Sequence, residues 1–63
     1  MITFRTITQE DGTEINSMIN PNAIVMVHER KVKDGETTYV LVLMDGSVIT
    51  LTAEEFKPIG DSF

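Results

Sequence analysis

The chain has no cysteine, no tryptophan, one tyrosine, one histidine and two prolines in 63 residues. Without Cys neither a disulfide nor a thiolate metal site can form. His28 alone argues against a zinc site built from His and carboxylates. Long apolar runs are missing too. The longest, Tyr39 to Met44, has strand length and falls far short of the roughly 18 residues of a membrane span. No charged-then-apolar leader opens the sequence. Bases are scarce, with five against ten acids and a net charge of −5, so general attraction to nucleic acid is disfavoured. These absences lead us to expect a soluble, acidic, cytoplasmic protein with no cofactor, no metal, no membrane contact and no small-molecule substrate.

Size adds a constraint. A chain this short buries only about 60% of the surface that its unfolded form exposes. Small scaffolds are usually supported by disulfides, a metal or a second chain. With the first two gone, association with another chain remains, and a well-packed monomer is the bland alternative.

What is present reads as a single small β domain spanning 1–63. MITFRTITQ has strand character, and a switch of apolar face between Phe4 and Ile7 suggests a bulge near Arg5–Thr6. Three Asp-Gly pairs, at Asp11-Gly12, Asp34-Gly35 and Asp45-Gly46, mark hairpin turns. Thr13 to Ile19 is a short strand, stopped at Asn20-Pro21-Asn22 because Pro donates no ladder bond. Ala23 to Val32 resumes, with Ile24, Met26, His28 and Arg30 expected on one face and Val25, Val27 and Glu29 on the other. Thr37 to Met44 is apolar on both parities and reads as a central strand covered on both sides. Ser47 to Thr52 returns beside it. Thr52-Ala53-Glu54-Glu55 fits a capping box, and Pro58 predicts that the helix lasts about one turn. Phe56, helped by Ile59, is placed to close one end of the sheet. The expected fold is all-β, a small antiparallel barrel or bent sheet of about five short strands with a C-terminal helical turn.

Candidate chemistry is sparse. His28 is the one natural general base, but Glu29, its neighbour on a strand, points to the opposite face. Glu54 and Glu55 are adjacent on a helical turn and fit capping and charge at a helix N-terminus. The Asp-Gly pairs lack the ligand alternation of a calcium loop, and the isolated glycines do not form a phosphate loop. No base is placed to activate a hydroxyl. We therefore expect no enzyme. The hairpin tip with Arg30, Lys31 and Lys33 could touch phosphates, although Glu29, Asp34 and Glu36 offset its field.

The order of features resembles the small flagellar FlbD/SwrD family of bacteria. The matching residues are Gly12, Ile19-Asn20-Pro21-Asn22-Ala23-Ile24, Leu43-Met44-Asp45-Gly46 and Thr52-Ala53-Glu54-Glu55. The tip from Glu29 to Glu36 is longer than the compact family hairpin. The same Asn-Pro step also resembles the β-rich DNA-binding half of LytTR regulators, whose basic groove-reading loops are not seen here. The first resemblance implies a non-enzymatic accessory protein working through protein contacts at motility machinery, and no family site maps onto individual residues.

The leading expectation is a protein-interaction module that self-associates through its β-sheet, as a homo-oligomer or with another protein. Tyr39, Leu41, Leu43, Met26 and Phe63 are the candidate contact residues. Two alternatives remain open. One is nucleic-acid binding by Arg30, Lys31 and Lys33; the other is a small acidic inhibitor, of the kind phages make, that docks on a basic host protein.

Overall fold

Two glycines with φ of +88°, Gly12 and Gly46, set the tight turns of the molecule. A computed structural model describes all 63 residues. Strand β1 (Ile2–Thr8) and strand β2 (Glu14–Ile19) form an antiparallel hairpin. Strands β3 (Ile24–Arg30), β4 (Thr38–Leu43) and β5 (Val48–Thr52) form a separate antiparallel sheet in the order β3-β4-β5. Helix α1 (Ala53–Gly60) ends the fold. The chain is thus mostly β, as expected, with five strands divided between two sheets that do not hydrogen-bond to each other.

The turns around Gly12 and Gly46 share one design. The Gly12 amide donates to the Gln9 carbonyl at 3.0 Å, and the Gln9 amide donates to the Thr13 carbonyl at 2.8 Å. The Gly46 amide likewise donates to Leu43, and the Leu43 amide to Ser47, both at 2.9 Å. These are three-residue loops with a left-handed Gly at the third position rather than the two-residue primed turns that Asp-Gly suggests. In each, the Asp side chain accepts the amide two residues on, Thr13 to Asp11 and Ser47 to Asp45, at 2.9 Å.

Between β2 and β3, Pro21–Ala23 makes a 3-10 turn whose first amide partner is the Asn20 side chain, which accepts from the Asn22 amide at 3.0 Å. The interruption predicted from Pro is there.

Two bulges set which side chains face inward. One, at Phe4, lies between Thr3 and Arg5, next to the position expected. The other, at Val25, lies between Ile24 and Met26 and corrects the face assignment of β3. Ile24 pairs with Leu43, whereas Met26 pairs with Val42. The extra residue therefore moves Ile24 onto the face of Val27, away from Met26 and His28.

Helix α1 is longer than expected. Thr52 and Glu55 form a full capping box: the Glu55 amide donates to Thr52 Oγ1 at 3.2 Å, and the Thr52 amide to Glu55 Oε1 at 2.9 Å. Yet the helix runs through Pro58 to Gly60. Pro58 removes one donor, and the carbonyl it would serve belongs to solvent-exposed Glu54, where water can satisfy it. Ile59, fully buried, holds the last turn against the sheet.

The core is small. Ile19, Leu41, Leu51 and Ile59 are buried, and Ile2, Phe4, Ile24, Val27, Leu43, Ile49 and Phe56 pack around them. Hairpin, helix and sheet all contribute to this one cluster, so hairpin and helix lie on the same side of the sheet. Phe56 stacks on Tyr39 with ring centroids 4.1 Å apart and planes within 9°. Arg5 on β1 ties the hairpin to the helix, with Nε 2.5 Å and Nη2 3.2 Å from the Glu55 carboxylate. The radius of gyration is 12.9 Å, against about 10–11 Å for a compact domain of this length.

Candidate interaction surface

The register of the three-stranded sheet sorts its side chains without ambiguity. Tyr39, Leu41 and Leu43 on β4 lie with Leu51, Ile49, Val27 and Ile24 on the side of the core. The other side carries three rows. Met26, Val42 and Val48 form the first, His28, Val40 and Thr50 the second, and Arg30, Thr38 and Thr52 the third. No element covers this outer face. Met26 is 51% exposed and Val48 60%, and Met44, at the mouth of the β4–β5 turn, is 73% exposed. Val40 and Val42, flanked by strands on both sides, are half-buried.

The outer face is apolar at one end and polar at the other, and it carries no carboxylate in any of its three rows. In a chain with ten acids that is a local departure from the general surface. The carboxylates gather elsewhere, where water is a better partner for them than a half-buried valine, and the one charged side chain in the rows, Arg30, stands at the polar end.

The candidate contact residues fall in different places. Leu41 is fully buried, which removes it from any surface. Tyr39 and Leu43 are half-buried on the covered side. The Tyr39 hydroxyl donates to Glu29 Oε2 at 2.9 Å, and this bond pushes its pKa upward. Met26 lies on the open face. Phe63 is 70% exposed and does not dock on the body. The expectation of cover on both faces of β4 is therefore corrected: one helix and one hairpin both settled on the same side. Sequence reading passed over Val42, Val48, Val40 and Met44. The alternation of β4 already placed Val40, Val42 and Met44 on one parity, and eight residues of helix can cover only one face.

Elsewhere the chemistry is plain. His28 lies on the outer face and Glu29 on the inner one, so the neighbours do not meet. In the basic tip, Lys31 Nζ lies 3.5 Å from Glu29 Oε1, both partners exposed. Arg30, Lys31 and Lys33 therefore share their tip with the acid that Lys31 contacts. A shallow open cleft lined by Glu36, Thr37, Thr52, Ala53 and Glu54 holds carboxylates and hydroxyls with no base beside them. No three His, Asp or Glu side chains converge as metal ligands would. No helix is long and apolar enough to cross a membrane.

No protein-family model matches the chain, and no curated protein and no solved structure matches it either.

Proposed function

We propose that this chain is a protein-interaction module that self-associates through the outer face of its three-stranded sheet and performs no catalysis of its own. The observation that carries this reading is the uncovered row of Met26, Val42 and Val48, with Val40 and Met44 beside it. A folded protein of this mass exposes about 4,000 Å²; this chain exposes 4676 Å². The surplus is of the order of 600 Å² per chain, or about 1,200 Å² for two, the lower end of specific protein interfaces. A cytoplasmic accessory role, of the sort implied by the resemblance to the flagellar FlbD/SwrD proteins, accords with a module that leaves an apolar sheet face open for docking.

Light scattering of the purified chain over a micromolar concentration series tests the reading. A discrete oligomer, with its mass constant at the upper concentrations, is the expected result. A monomer throughout would sink it.

A further inference from the structure

If the outer face is the contact, as proposed above, its polarity pattern also specifies how the second copy lies on it. We infer that two copies stack face to face about a two-fold axis running along the strands, so that Met26 of each chain packs on Val48 of the other.

The reasoning starts from the rows. Going along the strands the face changes from apolar (Met26, Val42, Val48) through mixed (His28, Val40, Thr50) to polar (Arg30, Thr38, Thr52). Across the strands each row is nearly uniform. A two-fold axis parallel to the strands superposes each row on its own counterpart and exchanges the edges, since β3 of one copy then covers β5 of the other. Val42 meets Val42, Val40 meets Val40, and Met26 meets Val48. The apolar end stays against apolar groups. Arg30 of each copy falls over Thr52 of the other, on opposite margins, where both guanidinium groups remain in water.

The competing axis, perpendicular to the strands, reverses the order of the rows. Centred on the whole face, it lays Met26 against Arg30 and forces an unpaired charge onto apolar surface, which is costly. Centred on the apolar row, it keeps valine on valine but overlaps only one end of the sheet. That partial overlap covers one of the three rows and leaves the rest of the open face in water, whereas the axis along the strands covers all three. Two stacked sheets with near-aligned strands, offset by about 30° through their own twist, are also a common sheet packing.

The bulge at Val25 is part of the design. Without it, with Ile24 held opposite Leu43, Val25 would take the outer position beside Val42 and Met26 would turn inward together with Ile24. The bulge thus puts a flexible thioether side chain, which adapts to an opposing surface, at the position that meets Val48.

Met26 and Val48 are more than half exposed in the single chain, so charged replacements there leave the fold intact, as circular dichroism and the thermal midpoint will show. The test uses Met26→Asp and Val48→Lys, separately and mixed. Each variant alone should lose self-association, with the dissociation constant rising more than about tenfold, because each buries unpaired charges. An equimolar mixture should recover a heterodimer, since the Asp of one chain then faces the Lys of the other while native Val48 and Met26 meet at the second contact. A native oligomer whose single variants fail to associate and whose mixture also fails would overturn this arrangement and leave the interaction reading standing. Undiminished association of either single variant overturns the arrangement as well. A monomeric native chain overturns both.

Discussion

Glu55 holds three parts of the molecule at once. Its carboxylate accepts from Arg5 on β1 and from the Thr52 amide, while its own amide donates to Thr52 Oγ1. The hydrogen bond from Arg5, and after it the one from the Thr52 amide, lower its pKa from 4.5 to about 2. The folded state thus binds this proton more weakly than the unfolded state does. Its contribution to stability is complete above pH 4.5 and is lost as pH falls through about 2. Glu55→Gln should flatten the decline in thermal midpoint between those values and lower the midpoint at neutral pH, because the Arg5 ion pair is gone. An acid titration followed by circular dichroism, run on both chains, checks this. Parallel curves from pH 5 to 2 would remove Glu55 from its role as latch.

Turns and bulges, rather than strand propensity, decide the layout of the elements. Gly46 stands at φ +88° with open space where a Cβ would go, so Gly46→Ala meets no clash and reports backbone strain alone. A loss of about 1–2 kcal/mol is expected from the left-handed conformation. Gly35 has no positive φ, and its Cβ would lie 3.3 Å from the exposed Val32 side chain. Gly35→Ala should therefore stay within about 0.5 kcal/mol of the native chain. Denaturant melts of the two variants make the comparison, and equal losses would contradict the turn assignment. The same elements mark what could be read from the sequence. Asp-Gly pairs, the Asn20-Pro21 break and the Thr52 capping box are local chemistry and were legible. The face of Ile24 was not, because a single bulged residue at Val25 reverses a period-two pattern without leaving a trace in composition. The helix beyond Pro58 was not legible either. Burial of Ile59 outweighs a local penalty there, and burial is a property of the assembled fold. The open face was only half legible: β4 was visibly apolar on both parities, but nothing local says that hairpin and helix choose the same side.

For the whole molecule the balance is between charge and apolar surface. Two chains at −5 each repel, yet the proposed contact face contains no carboxylate. Added salt screens the repulsion between acidic surfaces lying within about a Debye length, roughly 10 Å at 0.1 M, and takes nothing from contacts between apolar side chains. Self-association should therefore hold or tighten between 0.05 and 0.5 M salt, a range taken to span Debye lengths from about 14 to 4 Å. Sedimentation equilibrium across that range measures it. Binding through the Arg30–Lys33 tip to nucleic acid would show the reverse, a steep loss with salt, as would docking of the acidic surface on a basic protein. Marked weakening by salt would count against the apolar face.

One detail of β5 bears on how far its open edge can template further pairing. The Leu43–Ser47 hydrogen bond makes Leu41–Ile49 and Tyr39–Leu51 the bonded rows, so Val48, Thr50 and Thr52 direct their backbone groups away from β4. This edge, Val48–Thr52, has no charge, proline or bulge to guard it, and an unguarded edge is a template for further strands. The Thr52 amide, however, is already held by Glu55, and the helix follows at once. An incoming strand finds only Val48 and Thr50 with both amide and carbonyl free. The first turn of α1 thereby acts as a terminator for a ladder on this edge, leaving an incoming strand only two residues of β5 to pair with before it meets the helix.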